Sequence, residues 1–442
     1  MNKICDYMII QRDKDGFGRA TFEGTADLNE KSLVIARVMR EDDNMTVIPW
    51  HECEKCENGW KTELSIPQGG LYRIEARIAE GKFNAFNNMY DWAPLIACAH
   101  YVGVGEIFAL AGQSNMSAYG RDFAYDPPQL GVHLFDNSGN WRIASHPLNT
   151  VTNPLYPNND ENSGTSPGLA FGRMMSKHLG VPVGLIVAAR GGSALESWNP
   201  AEKDCFLFNS LKDKIDKVGG ISGIIWYQGC NETNCEEDAS TYYEKFKQTV
   251  SIWRKEFGEI PIATCQLNRH AWKGENNDRF WGMVREAQRQ ASLTIKDVYI
   301  VPTLDMYTTD GIHNGSGACV IIGERLANVM LKGHYGLTGS FAPTVIEVNK
   351  IDSKTILLKF DEGHLLRTMD DLACGMNIED ENGMMKCTKV SVCDDGATVT
   401  GEREIGKKAV FHAYWEREEP AFFLRDTYGM PMLACYGVEI KQ

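Results

Sequence analysis

The sequence has no apolar run approaching the roughly 20 residues that a helix needs to cross a bilayer. Its opening stretch, MNKICDYMIIQ, lacks the longer apolar segment of a secretory leader. No membrane partner is expected, and the expected compartment is the cytoplasm. Basic charge is in deficit: 45 Lys and Arg stand against 59 Asp and Glu, for a net charge of -14. A broad phosphate-binding face needs concentrated Lys and Arg, so nucleic acid is not an expected partner and a neutral or small substrate suits the chain better. A disulfide framework is missing as well. The 13 cysteines are odd in number and spread over the whole length, which points to reduced thiols. His51, Cys53 and Cys56 (HECEKC) make half a zinc site with no second ligand pair at the right spacing, so no metal is expected. Gly103-Val104-Gly105 lacks the third glycine of a dinucleotide fingerprint and reads as a domain-entry turn, and no cofactor is expected. There is no internal repeat and no low-complexity linker.

What is present is an ordinary globular composition, 43% hydrophobic and 24% charged. Single cores stop growing at about 250 to 300 residues, so 442 residues predict two or three domains. Residues 1–103 carry short alternating runs (SLVIARVMR, MTVIPW, WKTELSI, LYRIEARI) broken by Gly, Asn, Asp and Pro, the pattern of a small β-sandwich. Residues 104–336 change character. The apolar runs EIFALA, VPVGLIVAA, ISGIIWY, PIATCQL and VYIVPTL alternate with segments of helical period at 167–178, 205–217, 239–257, 277–295 and 316–331. Repeated β-α units predict an α/β fold with a central, doubly wound parallel sheet covered by helices. Strand signals return in 337–442 (TVIEVNK, TILLKFD, TKVSVC, KAVFHAYW), so the central unit is flanked by N- and C-terminal all-β domains.

In such a sheet ligands bind beyond the carboxyl ends of the strands, and four of the five runs are followed there by chemistry-bearing residues. These are Gly112-Gln113-Ser114-Asn115-Met116, Gly191-Gly192-Ser193, Gln228-Gly229 and Asp310-Gly311-Ile312-His313. A serine hydroxyl is weakly nucleophilic unless a base takes its proton. His313 can serve, with Asp310 three residues earlier reaching Nδ1 and fixing the tautomer. The oxyanion of a tetrahedral intermediate needs donors, which the backbone amides of Ser114 and of Gly192 or Gly191 can supply beside the Gln228 carboxamide. Each piece alone has an ordinary reading as a helix cap, a turn or a buried amide. Their joint placement at one sheet edge is what points to catalysis.

GQSNM at Ser114, ARGGSALESW at 189–198, WYQG at 226–229 and DGIH at 310–313 resemble the sialate O-acetylesterase and acetylxylan esterase branch of the SGNH hydrolases. FWGMVREAQ at 280–288 and FFLRDTYGMP near the end extend the resemblance. It implies an SGNH-type, flavodoxin-like central domain and removal of acetyl groups from O-acetylated saccharides, with Ser114 as nucleophile, His313 as base and Asp310 as its partner. Gly192 and Gln228 match the oxyanion positions. Cys230, Asn231 and Glu232 follow where many relatives have an acidic residue directly, which makes Asn231 a rival donor, and Asn314 follows His313 where relatives often have Pro. Gln113 and Trp198 fall on the substrate side, with Trp272 and Trp281 as further candidates for a sugar platform and core packing as their ordinary reading. An acetylxylan or acetylmannan oligosaccharide esterase, a non-catalytic carbohydrate-binding protein, and a glycoside hydrolase using Glu196 and Glu232 are the competing readings. The sugar, the hydroxyl and the oligomeric state are not legible in the sequence.

Overall fold

The five apolar runs become five strands in parallel, because runs apolar at every position suit a sheet buried on both faces. The computed structural model describes residues 3–149, 155–156, 164–271, 278–361, 364–368, 371–417, 420 and 422–442. Across the central sheet the strands run in the order Trp141–Ile143, Val132–Phe135, Val183–Val187, Leu95–Gly112, Gly223–Tyr227, Ile262–Cys265 and Val298–Val301. All neighbours are parallel except the Trp141–Ile143 edge, which pairs antiparallel.

Of the five α-helices among the described residues, four connect these strands, α1 (Gly168–Leu179), α2 (Phe206–Val218), α3 (Glu236–Phe257) and α4 (Asp278–Thr294), and α5 (Ser316–Gly333) follows the last of them. Each overlaps a segment expected from its period. In α3 the buried residues Ala239, Tyr242, Phe246, Thr249, Val250 and Trp253 recur at spacings of three and four. Its first turn holds Glu236, Glu237 and Asp238 and its last Arg254 and Lys255, the arrangement the helix dipole favours. Phe108 meets Phe171 of α1 edge-on. Trp226, in register with Ala111 and so turned to the other face, packs on Phe246 and Trp253 of α3. Helices therefore cover both faces, α1 against α5 and α3 against α4. Burying a side chain such as Phe246 contributes about 1.5–3 kcal/mol.

The expected boundary at residue 103 falls inside one strand. Leu95–Gly112 is 18 residues long; its first half pairs antiparallel with Gly69–Glu80 and its second half parallel with the central strands. The N-terminal antiparallel strands Ser32–Arg40 and Thr46–Glu52 thereby join the central sheet, making it 11-stranded. Gly103-Val104-Gly105 is thus mid-strand and not a turn. Its glycines serve close approach: a Cβ on Gly105 would stand 1.9 Å from the Pro182 carbonyl oxygen. After α5, seven strands between Val345 and Lys441 close into a barrel with its own buried cluster, including Ile356, Leu358, Ile378, Val399 and Phe411.

Candidate active site

Three loops at the carboxyl edge of the central sheet bring the serine, the glycine pair and the amides together. The first leaves the long strand at Gly112, where Gln113 N–H donates to Tyr227 O at 2.9 Å, and turns back through Met116 and Ser117 N–H groups bonded to Gln113 O. Ser114 sits in this turn, 8% exposed. The second loop is pinned to the same strand end: Ala188 and Ala189 N–H donate to Leu110 O, and Arg190 N–H donates to Gly112 O at 2.9 Å. That anchoring presents Gly192, which has φ +70° and open space where a side chain would be. Among the described residues the N–H groups of Ser114 and Gly192 donate to nothing, which suits them to a developing negative charge. The third loop, after Gly223–Tyr227, brings Asn231, whose Nδ2 donates to Gly192 O at 3.1 Å.

The base arrives from the far side of the sheet. His313 Nδ1 lies 2.6 Å from Asp310 Oδ2, while Asp310 Oδ1 accepts the backbone N–H groups of His313 at 2.9 Å and Ile312 at 3.2 Å. Burial works against the Asp310 charge, yet the imidazole and these two amides hold its carboxyl below the ordinary range. Asn115 then ties nucleophile to base: its Nδ2 donates to Ile312 O at 3.2 Å and its Oδ1 accepts Asn314 N–H at 2.9 Å, so it grips the chain on both sides of His313. Asn268 donates to Ile312 O at 2.6 Å and Asn314 to Tyr227 Oη at 2.9 Å. Asn314 is thus a buried brace. Tyr119 lies over the imidazole with ring centroids 4.5 Å apart.

Several sequence expectations change here. Gln228 is fully buried; its Nε2 donates to Glu232 Oε2 at 2.5 Å and Ser193 O at 3.3 Å, and its Oε1 accepts from Tyr242 Oη at 3.1 Å. With its donors committed inside the protein, Gln228 is not placed as an oxyanion donor, whereas Asn231 is half-buried beside Gly192. Gln113 does not face substrate either. Its Oε1 accepts Gly229 and Cys230 N–H at 2.9 and 3.0 Å, fixing the third loop against the first. Trp198 is 0% exposed, donates to Ser193 Oγ and packs edge-on against Trp226, so it is core and no sugar platform. Trp281 is likewise buried, stacked on His270. Trp272 lies outside the described residues. Glu232, paired with Glu196 in the glycosidase reading, is instead a buried brace that accepts Leu195 N–H at 2.5 Å and the Gln228 amide. Burial raises its carboxyl to about 7 against those hydrogen bonds. Sequence reasoning assigns Asn115 and Asn268 no role, and Glu232 only that of a glycosidase carboxylate. A polar residue directly after the nucleophile was the available signal for Asn115; the others acquire meaning through contacts between distant loops.

A serine, an imidazole held by a carboxylate, and unspent amides at one sheet edge are the groups that a serine hydrolase acting on esters requires. Residues 104–332, half of the chain, match the family described as carbohydrate esterase, sialic acid-specific acetylesterase, and the chain belongs to that family. Over 140 residues it is 25% identical to the sialate O-acetylesterases of Homo sapiens and Pongo abelii, a match covering 25% of this chain and 26% of each relative. The chain thus spans about a quarter of the length of those curated relatives. The crystal structure of XAC1771, a carbohydrate acetylesterase from Xanthomonas citri, superposes with a TM-score of 0.67 at 19% identity, over 98% of this chain and 97% of that one. That likeness is one of fold.

Proposed function

We propose that this chain is a carbohydrate O-acetylesterase that hydrolyses acetyl esters on sugar hydroxyls through an acyl-enzyme on Ser114, in the manner of a sialate O-acetylesterase. The observation that carries the reading is the Asp310–His313 pair at 2.6 Å, on a loop gripped by the residue that follows Ser114. The Asp310 carboxylate only accepts, so Nδ1 bears the proton between them and Nε2 is the basic nitrogen. Nε2 takes the Ser114 hydroxyl proton as Oγ attacks the acetyl carbonyl carbon. The oxyanion is received by the N–H groups of Ser114 and Gly192 and by the second N–H of the Asn231 carboxamide, whose first is spent on Gly192 O. His313 then protonates the departing sugar oxygen, and a water repeats the sequence on the acetyl-serine. Membership in the esterase family supports a sugar ester as substrate.

We read the five-strand path as the doubly wound, flavodoxin-like core of an SGNH hydrolase. Its strands stand in the order 2-1-3-4-5, and Val132–Phe135 and Trp141–Ile143 add an edge. The chain divides into a β-sandwich-like unit at 1–103, an esterase unit at 104–336 and a C-terminal β unit at 337–442, with one strand shared across the first boundary. The test is acetate release from O-acetylated sialic acids, xylo-oligosaccharides and manno-oligosaccharides by the wild type and by Ser114→Ala. The variant is expected to lose several powers of ten in kcat with an unchanged circular dichroism spectrum. Near-normal release by the folded variant refutes the serine mechanism.

A further inference from the structure

The outer face of the N-terminal sheet holds a second nucleophile with a base of its own. Strand alternation turns Cys98 and His100 to the same side of the Leu95–Gly112 strand, with Ala99 buried between them. Cys98 Sγ lies 3.3 Å from His100 Nε2, and His100 Nδ1 lies 2.9 Å from Glu41 Oε1. The Glu41 carboxylate also faces Arg73 at 3.6 Å and accepts Tyr101 N–H at 3.2 Å. A carboxylate paired with a cation only accepts, so Nδ1 carries the shared proton, Nε2 presents a lone pair, and the thiol is the donor to it. Asp6 accepts the His100 backbone N–H at 2.8 Å, which holds the backbone that carries the ring. Among the described residues no other cysteine has an imidazole within hydrogen-bonding reach, although Cys5, Cys56, Cys235 and Cys393 are more exposed.

The charged groups facing the thiol come from each neighbouring element. Glu75 stands opposite Cys98 in register, Arg73 lies on the same strand as Glu75, Glu41 follows the Ser32–Arg40 strand, and Asp6 belongs to the N-terminal segment. Burial first, and then Glu75, push the thiol up to about 11. A standing thiolate is therefore scarce at neutral pH, and reaction requires the proton to leave for a base as the new bond forms.

We propose that Cys98 is a modification site for small disulfides, with His100 as general base and Glu41 as the group that orients it. In the step, Cys98 Sγ attacks one sulfur of R–S–S–R and its proton passes to His100 Nε2. The reagent's S–S bond breaks, and the departing thiolate takes the proton from the imidazolium. One mixed disulfide on Cys98 and one free thiol result, with the disulfide as the sole oxidant.

The experiment treats the full chain with oxidised glutathione at about pH 7 and follows each cysteine by peptide mass mapping, with Cys56 and Cys393 as internal references. Cys98 is expected to be modified about 10-fold or more faster than either reference, and His100→Gln to bring it down to their level or below. Without the base the rate depends on the scarce thiolate alone, so in His100→Gln it climbs about tenfold per pH unit toward the thiol's own range, more steeply than in the wild type. His100 is exposed and lies outside the Ser114 site, so the variant is expected to keep its circular dichroism spectrum and its acetate release. Modification of Cys98 no faster than of Cys56 and Cys393, or an unchanged rate and pH profile in His100→Gln, overturns the proposal.

Discussion

Asn231→Ala and Gln228→Ala separate catalysis from support more sharply than any other pair of substitutions in this site. The two amides stand three residues apart in one loop, yet one is half-buried beside Gly192 and the other has no exposed surface. Removing Asn231 takes away a donor that strengthens as the carbonyl oxygen becomes an oxyanion, and one such donor accounts for about 2.7–4 kcal/mol, or roughly 100- to 1,000-fold in kcat. KM is expected to move little, since the neutral ester gains less from that donor. Removing Gln228 leaves Glu232 Oε2 without its 2.5 Å donor and Tyr242 Oη with only the backbone carbonyl of residue 228 at 3.3 Å, both buried. An unsatisfied buried group costs about 1–3 kcal/mol, and folding is expected to lose about that much. Steady-state kinetics on 4-nitrophenyl acetate and on an O-acetylated sugar, with urea or thermal unfolding alongside, give both readouts. The expected pattern is a stable, slow Asn231 variant and a destabilised Gln228 variant whose folded fraction turns over near the wild-type rate. A large kcat loss at Gln228 with unchanged stability, and little loss at Asn231, would show that the committed amide is nonetheless the oxyanion donor.

Asn115→Ala should cut the tie across His313, and kcat is expected to fall about 10- to 100-fold with the unfolding midpoint lowered by a smaller margin, because a base displaced by about 1 Å loses that much. Asn115→Asp, which keeps the acceptor for Asn314 N–H, should recover part of the rate; no recovery would argue that the carboxamide acts by contact with substrate. His133 is buried between its hydrogen bonds to Tyr7 O and Gly131 N–H, and burial lowers it to about 4. The unfolded chain, with its imidazole near 6.5, binds more protons between those values. Stability is therefore full above about pH 6.5 and is lost as pH falls toward 4, by about 3 kcal/mol. Unfolding curves from pH 7 to 4 should show that slope in the wild type and a shallower one in His133→Gln; equal slopes would remove His133 as the cause.

The sequence alone reached the central sheet, its five helices, and the Asp310–His313 pair. Apolar runs without alternation, a 3.6 period and residues at strand ends are local signals, and local signals survive without coordinates. The period that placed α3 is readable in Tyr242, Phe246, Val250 and Trp253, and Asp310 reaches His313 because three residues separate them. Where the reading failed, the deciding contacts joined residues far apart in the chain. Gln228 looks like a donor beside the site until Glu232, Tyr242 and Ser193 consume its hydrogen bonds. Trp198 looks like a sugar platform until Trp226 covers its face. Gly103 to Gly105 look like a turn until the Pro182 carbonyl arrives from a neighbouring strand. Asn115 could not be weighed without knowing that residues 312 and 314 pass beside it, and the Cys98–His100 pair needed Glu41, just past a distant strand, to orient the imidazole. Which polar groups are spent inside the protein and which are left to face a substrate depends on packing across the whole chain, and that is decided when distant segments meet.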